Sequence, residues 1–246
     1  QAKRRPISMM LVGIFYSSIS IFLSAWIFPD YASLVMVFFT VLSCLYVVQG
    51  SLRVEERKEL DLKSEEWLLK QHFQLLLFFL FLFIGFVISF AFWTFTLPND
   101  KVISMFSLQN SVVQGIRAIS TTGNSINSGT LVLIFTNNLK VLLISLVFAL
   151  FYGAGAIFVL VWNASVMGFV IGELAKNSFG IAAFPIAFAR YFLHGIPEML
   201  AYLTIALAGG IIYVALFRGD FFKTGRFNRI IIDTLILIII SVILLI

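Results

Sequence analysis

Six stretches of this sequence are apolar over lengths that no soluble core accommodates: Ile7–Phe28, Tyr31–Gln49, Gln74–Leu97, Leu131–Leu174, Ile181–Phe217 and Ile230–Ile246. A helix needs about 18–20 consecutive apolar residues to cross the hydrocarbon of a bilayer. In hydrocarbon every amide and carbonyl must be bonded within the protein, so only helices and closed barrels span it. Barrel strands alternate apolar and polar residues, whereas these runs are continuous. The composition agrees, with 61% hydrophobic and 12% charged residues, against roughly 45–50% and about 25% in soluble domains. The expected fold is all-α, a polytopic helical membrane protein whose first partner is the lipid bilayer.

The first run follows Lys3-Arg4-Arg5, as the apolar part of a signal peptide would. Such parts are about 7–15 residues long, and this run is about 22, with a second span directly behind it. It reads as a retained helix. Pro29-Asp30 turns the chain, so residues 1–50 form an N-terminal transmembrane hairpin that packs and anchors. Ser17, Ser18, Ser20 and Ser24 can satisfy their hydroxyls on their own helix backbone. The single cysteine, Cys44, excludes an internal disulfide and a cysteine zinc site. The net charge of +5 comes from basic residues in short segments beside the spans. That is a topology signal rather than a nucleic-acid footprint, and no nucleic-acid partner is expected.

Residues 51–72 form a charged linker, expected in the cytoplasm. From Arg53 to Lys70 charges of both signs alternate, as on a solvated helix. Ser64 with Glu65 and Glu66 suits the start of a helix running on into the third span, and Trp67 and His72 fall where an interface belt is expected. Glu65-Glu66-x-x-x-Lys70 comes near the Glu-Glu-x-x-x-Arg motif of CAAX-type intramembrane proteases. It has Lys for Arg, precedes the span, and lacks that family's later histidines. Pro98-Asn99-Asp100 ends the third span. In the outer segment near 98–130, Met105, Leu108, Val112, Val113, Ile116 and Ile119 recur at helical spacing, which predicts an amphipathic helix on the membrane surface. Ser120–Thr130 reads as loop.

Leu131–Leu174 is apolar for about 44 residues, about 66 Å as one helix, and must break. The break falls either at Tyr152-Gly-Ala-Gly-Ala156 or at Asn163. Lys176–Gly180 is a short loop. Ile181–Phe217 is also too long for one crossing. Pro197 cannot bond the carbonyl of Leu193, which predicts a half-helix from Ala183 to His194 and a span from Pro197 to Phe217. Arg218–Arg229 is a basic loop, and Ile230–Ile246 is a last span that ends so abruptly that the chain is expected to continue. The membrane core is thus 73–246. Lys and Arg concentrate at the N-terminus, at 51–72 and at 218–229. The expected topology is about seven crossings of the cell membrane, with broken or re-entrant helices in the C-terminal half, the N-terminus cytoplasmic and the C-terminus of this chain outside.

Ionisable groups inside such runs are rare and face a protein interior or a water-filled cavity. Arg190, His194 and Glu198 are spaced by four, on one face if the helix is continuous. If it breaks at Gly195 they gather around a helix start, with Glu198 in its first turn. An ion pair locking two helix pieces, an end that snorkels to the outer interface, a proton or ion path, and a contact with a partner protein all fit these residues. Metal binding and catalysis fit poorly. There are two histidines, and His194, Glu198 and Glu173 would have to make a catalytic zinc site that usually takes three protein ligands. No His-Glu-x-x-His, Walker or Gly-x-Ser-x-Gly motif occurs, so no cofactor and no enzyme activity are expected. Asn137, Asn138 and Asn163 suit caps or interhelical hydrogen bonds, or a polar pathway. Gly209-Gly210 and Ala206/Gly210 are small-residue helix contacts.

From about Leu131 to Ile246 the sequence resembles the stage II sporulation protein M family. The resemblance rests on Asn137-Asn138, Gly153-Ala-Gly155, Asn163 followed by Gly168, and His194-Gly-x-x-Glu198 leading into a small-residue helix. The charged linker and third span are similar to archaeal-type members, and the first hairpin lies outside the shared core. The family's namesake is a membrane scaffold for cell-wall remodelling enzymes, and many relatives occur in organisms that form no spores. The resemblance implies a non-enzymatic membrane scaffold or assembly factor, with a membrane or cell-envelope protein as partner. The alternative from the residues is a small-solute or ion transporter or channel using Arg190, His194 and Glu198. A homo-oligomer is expected because the first hairpin and the small-residue faces need partners.

Overall fold

The computed structural model describes residues 6–61, 65–122, 128–150, 154–178, 180–217 and 227–245, and among these there is no strand. The helices are α1 (Pro6–Ile27), α2 (Ala32–Asp61), α3 (Glu65–Thr96), α4 (Asn99–Met105), α5 (Ser107–Thr122), α6 (Ser128–Leu150), α7 (Ala154–Asn177), α8 (Phe184–Phe217) and α9 (Phe227–Leu245). Short 3-10 turns at Pro29–Tyr31 and Gly180–Ala183 precede α2 and α8. Among the described residues four stretches are long and apolar enough to cross a membrane: Ile7–Ile27, Pro29–Val48, Leu76–Thr96 and Ile157–Asn177. Shorter apolar stretches lie in α6 (Phe135–Ala149), α8 (Gly195–Gly210) and α9 (Ile230–Leu245).

Several boundaries differ from the sequence expectation. The charged segment is helical on both sides of residues 62–64: α2 reaches Asp61, and α3 begins at Glu65. At 30 and 32 residues, α2 and α3 are about 45 and 48 Å long and exceed a hydrocarbon layer of about 30 Å. The expected cap at Ser64 and the side chains of Trp67 and His72 lie outside the described residues. Within the long run 131–174 the described helices are α6, which reaches Leu150, and α7, which starts at Ala154; Tyr152 and Gly153 of the glycine-rich candidate lie outside the described residues, and Asn163 sits inside α7. The amphipathic helix of the outer segment is present as α5, preceded by the short α4.

The largest departure is α8, which is one helix of 34 residues with Pro197 inside it. An interior proline removes one backbone bond, at about 3 kcal/mol in a soluble helix. Breaking a helix in hydrocarbon would strand several backbone groups instead. The turns around and after Pro197 are also held by burial of Gly195, Met199, Ala201, Tyr202, Leu203 and Ile205. Keeping the helix is the cheaper outcome.

The chain forms two compact units. The first comprises residues 1–112 and 161–188. Within it α1 packs against both α2 and α3. Between α1 and α3, Gly13 and Gly85 let the backbones approach: a Cβ on Gly13 would lie 2.6 Å from the Leu82 carbonyl oxygen. Gly168 and Gly172 of α7 seat in the same way on α3, at Val87, Phe90, Ala91 and Thr94. Phe106, between α4 and α5, fills the remaining space, edge-on to Phe90 and stacked on Phe169. The second unit comprises residues 113–160 and 189–246. In it α6 touches α9, and Gly209 of α8 packs on Leu146 and Ala149 of α6. Small residues at helix crossings are expected where lipid removes the hydrophobic drive and close van der Waals contact must hold helices together.

Candidate functional site

The sequence candidates divide between the two units. Asn163 and Glu173 lie on α7 in the first, ten positions and about 15 Å apart along the helix. Asn137, Asn138, Arg190, His194 and Glu198 belong to the second. Asn137 is exposed on α6, and Asn138 and Glu198 are half-buried. The side chains of Arg190 and His194 lie outside the described residues. Their backbone is part of the continuous α8, whose register puts positions 190, 194, 198 and 202 on one face.

That register brings Glu198 to a residue the sequence reading passes over. The Tyr202 hydroxyl donates a 2.8 Å hydrogen bond to Glu198 Oε1. Tyr202 is 3% exposed, so the bond sits in the packed part of α8. A buried Tyr hydroxyl usually finds a partner, and a carboxylate in an apolar helix requires one. The spacing of four from Glu198 to Tyr202 is the signal that could have found it.

A second polar cluster joins elements distant in sequence. Ser33 Oγ, in the first turn of α2, donates to Gln109 Oε1 at 2.9 Å. Gln109 Nε2 donates to Ser165 Oγ of α7 at 3.0 Å and, more weakly, to the Ser33 carbonyl at 3.4 Å. The Leu108 amide donates to Ser33 Oγ at 3.0 Å, and the Ser165 hydroxyl donates to the Trp162 carbonyl. All three side chains are buried. Gln109 therefore fastens α5 onto α2 and α7. On the other side of α4 and the start of α5, Lys101, Ile103, Ser104, Ser107, Leu108 and Ser111 are exposed.

Two further contacts hold the first unit together. Lys176 Nζ, near the end of α7, donates to the Leu97 carbonyl, which follows α3. Ser18 does not bond its own helix as Ser17, Ser20 and Ser24 do. Instead it bonds Ser89 Oγ of α3 at 2.9 Å and accepts from Trp93 Nε1 at 2.9 Å.

Among the described residues no three His, Cys, Asp or Glu side chains cluster to hold a metal. Two charged residues escape the sequence reading although the rule that singles out Glu198 applies to them. Lys140 of α6 and Asp233 of α9 both lie within apolar helical stretches, and both side chains are exposed.

The model of one protein family, described as Stage II sporulation protein M, matches residues 74–246. The chain belongs to the stage II sporulation protein M family. The family region begins well before Leu131 and takes in α3, α4 and α5 as well as the C-terminal helices. Gln109, Ser165, Lys176, Glu198 and Tyr202 are all within it, whereas Ser33 and the α1–α2 hairpin precede it. No curated protein and no solved structure matches the chain. Family membership and the apolar helices make this a helical membrane protein.

Proposed function

We propose that the protein is a non-enzymatic scaffold or assembly factor of the cell membrane, which presents the α4–α5 segment to a membrane or cell-envelope protein. The observation that carries this reading is the Gln109 fastening. A buried amide bonded to two other helices fixes α5 in place, and the opposite side of the segment is left exposed. Polar groups inside a membrane protein that are fully bonded specify one arrangement, and a fixed platform is what a docking partner needs. The family resemblance supports the same role. A cytoplasmic N-terminus, favoured by the Lys and Arg distribution, together with an odd number of crossings before α4, supports a platform on the outer side.

The test is photocrosslinking in native membranes from positions 108 and 111. Discrete protein adducts are expected there, and only lipid adducts from Phe15 on the exposed face of α1. Lipid adducts alone at all three positions would sink the scaffold reading.

A second reading, transport of an ion or small solute, is favoured by one observation: the Glu198–Tyr202 pair inside an apolar helix. The continuous α8 removes the broken helix that marks many transporter sites, so this reading ranks second. Purified protein in liposomes should then show flux that falls with Glu198→Gln. Flux unchanged by that substitution would dismiss Glu198 as its site.

A further inference from the structure

We propose that the second unit carries a self-association surface on α6 and α9, in which Lys140 of one copy pairs with Asp233 of another, and the reverse. The inference does not depend on whether the protein is a scaffold or a transporter.

The starting point is where Lys140 sits. It is twelve positions from Ser128 and ten from Leu150, so its Cα lies about 15 Å or more from either end of α6. Lys140 also falls inside the apolar stretch Phe135–Ala149, which places it in hydrocarbon where α6 crosses the bilayer. A lysine stem reaches about 6 Å and snorkels successfully only near helix ends. Yet the side chain is exposed on the protein surface rather than turned inward. Among the described residues it has no hydrogen bond or ion pair.

Asp233 poses the same problem with the opposite sign. It is six positions into α9, a helix otherwise dominated by Ile and Leu, and its side chain is exposed too. It also has no hydrogen bond or ion pair among the described residues. These two helices touch within one unit. Apart from Thr136 and Asn137 near the start of α6, the remaining exposed side chains described along both are apolar, Leu143 and Val147 on α6 and Ile236 and Ile240 on α9 among them. Among the described side chains each helix thus offers lipid a largely lipophilic stripe interrupted by one charge, positive on α6 and negative on α9.

Charges facing lipid persist when something of opposite charge covers them. A headgroup phosphate is too far from the centre of α6, and within one copy the two charges do not meet. A second copy supplies both missing partners at once. A two-fold interface is self-complementary, so a contact of residue i with j is repeated as j with i. One Lys and one Asp per chain then give two ion pairs and no charge left over. Asn137, exposed one turn before Lys140, adds an amide that is both donor and acceptor and can bond its own copy across the axis. Polar groups of this kind set the register of helix association in lipid.

The test uses the purified full chain in liposomes, with dimer fraction read from single-molecule photobleaching at increasing lipid dilution. Lys140→Asp or Asp233→Lys alone should weaken association about tenfold or more, within the range of interhelical polar contacts in bilayers. The two single variants reconstituted together should associate again, as mixed dimers only. One variant then carries aspartate at both interface positions and the other lysine at both, so opposite charges meet only in the mixed pair. An ion pair inside one chain, or association through any other surface, cannot produce that selective mixing. Retention of the fold is checked by helical content from circular dichroism and by the thermal midpoint in detergent. If a charge-swapped chain does not fold, Lys140→Met and Asp233→Leu are read instead, and each should raise the apparent dissociation constant. A wild-type chain that is monomeric at all dilutions overturns the proposal. So do single variants that associate normally, or a mixture of the two that stays monomeric.

Discussion

Replacing Gly13 by Ala tests how the α1–α3 crossing is built, because two opposing effects act at one atom. A new Cβ would lie 2.6 Å from the Leu82 carbonyl oxygen and near the Gly85 backbone, about 0.8 Å short of the 3.4 Å at which ordinary contact begins. The obstacle is backbone, so no side chain can swing aside, and the helices must separate by nearly an ångström. A gap of 0.5–1 Å forfeits a quarter to a half of the dispersion well at each lost contact. The same shift stretches the 2.9 Å bonds from Ser18 to Ser89 and to Trp93 beyond hydrogen-bonding range. Interhelical bonds in bilayers average about 0.6 kcal/mol, and forced overpacking costs about 1–3 kcal/mol. Against this, Ala is favoured over Gly inside a helix by about 0.8–1 kcal/mol. The net expectation is destabilisation by about 2 kcal/mol, a fall in melting midpoint of about 4–8 °C if the scaling for soluble domains of this size holds.

The chain supplies its own reporter. Cys44 is the single cysteine and is fully buried on α2, which packs on α1. Its reaction with a fluorogenic maleimide during heating in detergent therefore follows opening of the first unit. Gly115→Ala is the matched control, because nothing lies within 4 Å of a Cβ there, so the propensity gain stands alone and the midpoint should hold or rise slightly. Adding Gly85→Ala to Gly13→Ala should cost less than the two single changes together, since a crossing already pushed apart accepts the second methyl. A Gly13→Ala midpoint equal to or above the wild type would refute the close-crossing account.

Other outcomes follow from single contacts. Gln109→Leu strips Ser33 of its acceptor and Ser165 of its donor, and leaving buried polar groups unpaired costs about 1–3 kcal/mol; α5 should become the first site of limited proteolysis, with Gln109→Glu only a partial rescue. Tyr202→Phe removes the donor to Glu198 and should lower stability in detergent by about 0.5–1.5 kcal/mol, whereas Glu198→Gln retains a carbonyl acceptor and should cost less by the same thermal assay. Lys176→Met frees the Leu97 carbonyl and should speed amide hydrogen exchange at the end of α3, with Lys176→Arg restoring protection.

The fold class is legible in the sequence because the bilayer imposes so simple a rule. Runs of about 20 apolar residues cannot be much else, and Pro98 marks a real end. Pro197 misleads for a physical reason. In water a proline break exposes backbone to solvent at little cost, but in hydrocarbon the unbroken helix is favoured. The charged stretch after Gln49 is legible as helix because its charges of both signs alternate as on a solvated helix, and α2 runs into it as far as Asp61. The Gln109 cluster is hidden by distance, since its partners are 76 and 56 positions away and an isolated Gln in a polar segment carries no sign of burial. Lys140 and Asp233 are legible in principle. Each breaks an apolar run as Glu198 does, but neither stands beside a proline that draws the eye.

What separates these residues is whether the chain itself completes their bonding. In lipid the apolar side chains distinguish weakly between a helix and the surrounding tails, so polar groups carry much of the specificity. Ser18 with Trp93, Gln109 with Ser165, and Lys176 with Leu97 are satisfied inside the first unit, and Tyr202 bonds Glu198 inside the second. Their loss should register first as loss of fold. Lys140 and Asp233 are exposed on helices that otherwise suit lipid. Replacing either with an apolar residue should leave the monomer as stable or more so, because a charge is withdrawn from hydrocarbon. A charge that makes its own monomer less stable has no reason to sit there unless something outside the chain answers it. Thermal midpoints of Lys140→Met and Asp233→Leu at high detergent dilution, where any association is abolished, therefore test the division: a fall comparable to that of Gln109→Leu would place these residues with the internal fastenings.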